Sequence, residues 1–290
     1  MTRRGNNVII FLEVIAVIAV FVVGVMIYDC NNFVIRKYTC KSDKLQKDGT
    51  FILLSDMHNK SFGKHNKRLL RAIEGECPDG ILIAGDMYTS SKKEDNQEAA
   101  EFVSRLSEKY PVYYGNGNHE QKTRMFPETF GTMYQNYMDK IKNSGAITLI
   151  NEKVALPEYH MEIYGLEIDR SYYQKFKSRK METEYLDRVL GNPEKKCFNL
   201  LIAHNPDYFD AYADWGADLT VSGHVHGGLM RLPFLGGVIS PKLRLFPHYD
   251  GGRFEKDGKE MILSRGLGTH TLPIRIFNPG EMVVICLRKG

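Results

Sequence analysis

Hydrophobic and polar positions divide this chain into two unequal parts. Residues 8–28, VIIFLEVIAVIAVFVVGVMIY, are apolar apart from Glu13. The run is long enough to cross a hydrocarbon core as a helix. Glu13 lies near its N-terminal end, where it reaches the interface or stays protonated. Residues 29–48 are polar and basic without a period, and read as a stalk. From Thr50 the pattern changes to short apolar runs separated by amphipathic stretches. Residues 51–54, 81–83 and 112–114 read as buried strands. The stretches between them place Leu69, Leu70 and Ile73, then Ala99, Phe102, Val103 and Leu106, at helical spacing. This alternation predicts an α/β fold with parallel pairing in the first half. Further strands are expected at 146–150, 161–164, 198–203, 219–221, 261–264 and 282–287. Several of these are separated by turns rather than helices, so the second half is expected to be more antiparallel. No repeat or low-complexity segment interrupts the pattern. The expected organisation is a tail over 1–7, a transmembrane anchor over 8–28, a stalk over 29–48 and one domain over 49–290.

The competing reading of the first run is a cleaved signal peptide. No small-x-small site follows it, and Tyr28-Asp29-Cys30 is not a lipoprotein-type cleavage sequence, so an uncleaved anchor is favoured. Arg3 and Arg4 favour a cytoplasmic N-terminus, while Arg36, Lys37, Lys41, Lys44 and Lys47 pull the other way. The charge rule is weak for long translocated domains, and the domain is expected on the outer face of a cell membrane. The hydrophobic share of 43% and charged share of 26% suit an ordinary globular core. A net charge of +4 is mild. With no basic stripe interleaved with aromatics, nucleic acid is not an expected partner. Five cysteines without CxxC spacing argue against a disulfide framework. Cys197 and Cys286 read as buried thiols. Cys30 and Cys40 either close a small loop or stay free.

Chemistry enters where the apolar runs stop. Asp56-Met-His58, Gly85-Asp86, Gly117-Asn118-His119, Ala203-His204-Asn205 and Gly223-His224-Val-His226 each follow one. In open α/β sheets ligands bind beyond the C-terminal strand ends, so these loops can meet at one edge. Taken singly, Asp56 reads as a helix cap, Asp86 as a turn residue and Asn118 as a left-handed turn. His58 alone reads as a surface residue and His204 as a strand-end histidine. Their joint occurrence at successive strand ends is what a metal site requires. Carboxylate, imidazole and amide donors without thiolates suit Mn, Fe or Zn. Two such ions share a carboxylate, aim a hydroxide at phosphorus and neutralise phosphoryl oxygens, while a nearby imidazolium protonates the leaving group.

The order DxH, GD, GNH, H, GHxH resembles the calcineurin-like metallophosphoesterases over about residues 49–290. That resemblance implies two mixed β-sheets packed as a sandwich and flanked by helices. It implies that Asp56, His58 and His226 bind one metal, that Asp86 bridges, and that Asn118, His204 and His224 complete the second. It makes His119 the acid or a transition-state partner rather than a ligand, and Glu120, where many members have Asp, a hydrogen-bond acceptor behind the ligands. The tail, with Ser264-Arg265-Gly266, Leu272-Pro-Ile-Arg275 and Asn278-Pro-Gly-Glu281 in place of the usual Asn-Pro-Pro-Glu, is similar to a bacterial membrane-associated branch. That branch holds phosphodiesterases and relatives of UDP-2,3-diacylglucosamine hydrolases. Arg265 and Arg275 then either contact substrate phosphate or form salt bridges between C-terminal strands. Residues 228–233 and 265–275 are expected to shape the pocket. The implied activity is hydrolysis of a phosphodiester or lipid-linked pyrophosphate near a membrane. A phosphomonoesterase of the same fold and a non-catalytic metal-binding scaffold are the alternatives.

Overall fold

The structure, a computed structural model, describes residues 3–93, 95–174, 180–232, 234–239, 245–269 and 272–290. The apolar run forms α1 (Arg3–Asn31), of which the 23 residues Ile9–Asn31 are apolar enough to cross a membrane. The first half continues with β1 (Phe33–Ser42), β2 (Gly49–Leu54), α2 (Lys67–Gly75), β3 (Gly80–Ala84) and α3 (Gln97–Ser107). It closes with β4 (Val112–Gly115), α4 (Asn118–Met125), α5 (Pro127–Phe130), α6 (Met133–Asn143) and β5 (Ile147–Thr148). The second half holds β6 (Glu152–Leu156), β7 (Met161–Leu166), α7 (Thr183–Leu190), β8 (Phe198–Ala203), α8 (Phe209–Trp215) and β9 (Leu219–Ser222). It ends with β10 (Met230–Leu232), β11 (Gly236–Ile239), β12 (Gly252–Lys256), β13 (Lys259–Leu263) and β14 (Gly280–Lys289).

Two six-stranded sheets form, in the orders β1-β14-β2-β3-β4-β5 and β12-β13-β9-β8-β7-β6, with β10-β11 as a separate hairpin. Alternation along each strand sorts the side chains between layers. Phe51 and Leu53 of β2 point between the sheets, against Leu200, Ile202, Leu219 and Val221 of the other sheet. Ile52 and Leu54 point outward onto Leu69 and Ile73 of α2 and Phe102 and Leu106 of α3. On the far side, Leu201 and Ala203 of β8 pack on Leu186 of α7 and Tyr212 and Trp215 of α8. The result is the expected sandwich of two mixed sheets between helices.

Three expectations change. The segment read as a stalk contains β1, which pairs in parallel with β14 from Phe33↔Gly280 to Ser42↔Lys289. Its charges mark it as an edge strand, paired on one side only. Arg36 reaches Glu281 at 2.9 Å and Lys37 pairs with Glu76. The second sheet is parallel at its centre, through β7, β8, β9 and β13, and antiparallel only at its two edges. Crossovers through α7 and α8 impose that direction on β7, β8 and β9. All five cysteines are free thiols. Cys30, in the last turn of α1, bonds the Pro273 carbonyl, and Cys197 and Cys286 are only half-buried.

Candidate metal centre

Parallel strands in both sheets deliver their C-terminal ends to one edge. β2, β3 and β4 end just before Asp56, Asp86 and Asn118, and β8 and β9 just before His204 and His224. The loops interlock there. Asp56 N–H donates to the Gly85 carbonyl at 3.0 Å and His58 N–H to the Asp86 carbonyl at 3.1 Å. Asp56 in turn accepts from the His224 N–H, at 2.9 and 3.0 Å from its two oxygens. Asp86 Oδ1 accepts from the His119 N–H at 2.8 Å. Gly85 has φ of 81°, and a Cβ there would lie 2.2 Å from the Gly117 nitrogen. Five of the seven expected ligands, Asp56, His58, Asp86, His224 and His226, also have φ between 47° and 75°. Such backbone persists only where its surroundings hold it, and it concentrates at functional sites.

The side chains converge in three overlapping groups, Asp56–His58–His226, His58–Asp86–His119 and Asp86–His204–His224, whose ligand atoms lie within 4.8 Å of one another. His58 and His226 bring their Nε2 atoms to 3.2 Å, and His226 Nε2 stands 3.5 Å from Asp56 Oδ1. Asp86 Oδ2 is 3.1 Å from His204 Nε2 and 3.9 Å from His58 Nε2. It therefore stands between the outer groups. Burial pushes the Asp56 carboxyl up to about 6. Burial opposes ionisation of Asp86 as well, but His204 and His119 hold it well below the usual carboxylate range. His204 is raised to about 9, because Asp86 outweighs the effect of burial. Asp86 and His204 thus stabilise each other's charged forms, and Asp86 stays anionic among the imidazoles. Asn118 Oδ1 is buried with no hydrogen-bond partner among the described residues, an acceptor that a cation would satisfy. This donor set fits divalent metal.

Two histidines on the same carboxylate are prepared differently. His204 Nδ1 lies 2.6 Å from the Ala84 carbonyl, so Nδ1 keeps a proton, and Nε2, which holds the second proton against Asp86 in the charged ring, is the nitrogen that offers a lone pair once that proton leaves. His119 Nδ1 accepts the Ser90 N–H at 2.7 Å. In its neutral form the His119 proton must then sit on Nε2, 4.0 Å from Asp86 Oδ2. One ring offers a lone pair and the other a proton.

Glu120 lies beneath, fully buried. It accepts from the N–H groups of Asp86 and Met87 at 2.9 Å, from Gly117 N–H at 3.0 Å and from Tyr114 Oη at 2.9 Å. Burial and the nearby Asp86 raise it to about 7. Of the expected phosphate contacts, Arg275 is overturned. Its fully buried guanidinium is bound to the carbonyls of Arg265, Gly266, Gly268 and Asn278, neither substrate contact nor salt bridge. Arg265 keeps the salt-bridge alternative, with Nε 3.4 Å from Glu281 Oε2, and it borders a surface hollow with Arg231. Pro233, expected near the pocket, lies outside the described residues. Sequence reasoning missed Tyr173, whose ring stands 5.4 Å from that of His224, and Asn278, whose amide donates to the His226 and Gly228 carbonyls at 2.8 Å. Only Asn278 carried a signal, as part of Asn278-Pro-Gly-Glu281.

A sequence-family model described as calcineurin-like phosphoesterase matches residues 49–228. Over 263 residues the chain is 28% identical to an uncharacterized metallophosphoesterase of Aquifex aeolicus, covering 88% of this chain and 92% of that one. It is 23% identical over 284 residues to the UDP-2,3-diacylglucosamine pyrophosphatase LpxG of Chlamydia muridarum, covering 81% and 83%. It is 26% identical over 200 residues to the phosphodiesterase YaeI of Escherichia coli, covering 66% and 65%.

Proposed function

The chain belongs to the calcineurin-like phosphoesterase family and is a metal-dependent phosphoester hydrolase; from that premise we propose that it is anchored to a membrane by α1 and uses two divalent ions to cleave a phosphodiester or a lipid-linked pyrophosphate. The observation that carries the two-ion reading is the position of Asp86, shared between a group with His58 and a group with His204 and His224. Asp56, His58 and His226 would hold one ion, Asn118, His204 and His224 the other, with Asp86 common to both. When bound, such ions supply a water of lowered pKa and neutralise the charge on phosphoryl oxygens.

The protein's own groups account for the rest. The Ala84 carbonyl fixes the tautomer in which His204 presents its lone pair. Ser90 fixes His119 in the opposite tautomer, with Nε2–H directed toward the site to hydrogen-bond a phosphoryl or leaving oxygen as charge develops on it. Glu120 ties the backbone of Asp86 to that of Gly117, keeping the bridging carboxylate in register with α4. A scaffold without catalysis has no use for a histidine prepared as a donor among ligands.

Anchoring is supported by the length of the apolar span and by the diacylated substrate in the name of LpxG. We place the domain on the outer face, following Arg3 and Arg4. Trypsin added to intact cells would then remove the domain, and full protection would refute that placement. The activity test is hydrolysis of bis-p-nitrophenyl phosphate, p-nitrophenyl phosphate and UDP-diacylglucosamine with added manganese. Wild type should turn over the diester or the pyrophosphate, and His119→Ala and Asp86→Ala should not. Preference for the monoester would favour the phosphomonoesterase alternative. Equal inertness of all three proteins across metals would count against catalysis.

A further inference from the structure

Outside α1, six of the nine large apolar side chains exposed among the described residues fall between 234 and 277: Phe234, Leu235, Leu245, Phe246, Leu272 and Phe277. They form one rim. Leu245 bridges Ile239 of β11, and the Phe246 N–H bonds the Val238 carbonyl at 2.9 Å. Phe234 and Phe277 line the same hollow of about 490 Å³, with Leu232, Arg231 and Arg265. All three phenylalanines have positive φ, 67°, 48° and 53°, an outlying conformation for so bulky a residue. The fold therefore holds their rings exposed on an uncommon backbone conformation rather than turning them into the core.

The rim is continuous with α1. The Phe277 ring lies 6.5 Å from that of Phe21 in a tilted pair, Cys30 bonds the Pro273 carbonyl, and Asp29 accepts the Asn278 N–H at 2.8 Å. Phe21 lies ten residues before the end of α1, roughly 15 Å along its axis at 1.5 Å per residue. The apolar span begins at Ile9. A hydrocarbon core of about 30 Å starting there extends past Phe21 and brings Phe277 level with acyl chains. Lys60 and Arg68, bonded to Asn31 and Asn32 where α1 ends, supply cations at headgroup height. β10 leads from this rim back to Gly228 and His226 at the metal centre, a few extended residues away.

We propose that this rim is seated in the acyl–headgroup boundary of the bilayer that α1 crosses, so that the metal centre meets its phosphoester at the membrane surface. The occupant is the lipid surface itself, and the substrate class that follows is an amphiphile whose phosphate lies at headgroup level. The inference rests on the anchor reading of α1, and the test separates the two.

The full chain is reconstituted in vesicles of phosphatidylcholine and phosphatidylglycerol, with phospholipids brominated at a shallow or a deep acyl position. Phe234→Trp and Phe246→Trp probe the rim, Val17→Trp probes α1, and Ile147→Trp probes the far edge of the first sheet. The single native tryptophan, Trp215, is buried in the core and gives a constant background. Expected are blue-shifted emission and loss of fluorescence with shallow bromines for both rim probes, loss with deep bromines for Val17→Trp, and no loss for Ile147→Trp. A quenched Val17→Trp with rim probes as red and unquenched as Ile147→Trp overturns the seated rim and leaves the anchor standing. Rim probes that are blue-shifted but unquenched, in particles the size of a dimer, also overturn it, since a second copy then covers the rim. An unquenched Val17→Trp refutes the anchor and the seat together.

Discussion

Replacing Arg275 with Met separates a phosphate ligand from a loop clamp. The guanidinium is fully buried, and burial lowers it to about 10, still cationic at neutral pH. Its nitrogens donate five hydrogen bonds, at 2.5 to 3.2 Å, to the carbonyls of Arg265, Gly266, Gly268 and Asn278. Methionine keeps most of the stem and removes every donor. A buried acceptor left unsatisfied costs about 1–3 kcal/mol, so four would approach 10 kcal/mol if none relaxed. Water entering the vacated space recovers part of this, leaving a cost of about 3–5 kcal/mol. At 2–4 °C per kcal/mol for a domain of this size, Tm should fall by roughly 6–20 °C. Arg275→Lys restores a charge but not the planar fork, and should recover less than half of the loss. The assay is thermal and denaturant unfolding of the detergent-solubilised full chain, followed by Trp215 fluorescence, with kcat and KM measured well below the transition. The clamp requires a large stability loss with KM nearly unchanged. A Tm within a degree of wild type, or a raised KM at unchanged stability, would refute it and return Arg275 to the substrate.

His119→Ala should lower kcat by about 10²–10³, the usual range for a lost hydrogen-bond donor to developing charge, while bound metal measured by plasma mass spectrometry stays at the wild-type level. Asp86→Asn should lower both kcat and metal content, because its carboxylate faces both ligand groups; unchanged metal content would argue against a shared ligand. Glu120→Gln should cost about 1–3 kcal/mol in denaturant unfolding, since one carbonyl oxygen replaces two carboxylate oxygens that receive four hydrogen bonds. Gly85→Ala should fail to yield a monodisperse protein by size exclusion, because its Cβ would overlap the Gly117 backbone at a φ of 81°.

Much of the site was legible because its signals are local. Apolar runs ending in Asp56, Asp86, Asn118, His204 and His224 reveal strands and the residues just beyond them. A sheet with parallel strands must gather those ends on one edge. The same local reading failed at β1, where a charged edge strand looks like a stalk until its partner, 247 residues on in the pairing Phe33↔Gly280, is known. It failed at Arg275, whose partners are carbonyls, which carry no residue-type signature.

The sequence by itself determined which donors are available, their order, the two-sheet architecture and the apolar helix before them. Only the tertiary structure decided how each donor is used. Ala84 meets His204 across 120 positions and Ser90 meets His119 across 29, and those two backbone groups set opposite tautomers on chemically identical rings. The apolar residues after β10 become a rim beside α1 in the same way. Composition and period are properties of neighbouring positions, whereas a ring's second nitrogen or an exposed phenylalanine takes its role from segments that only packing brings together.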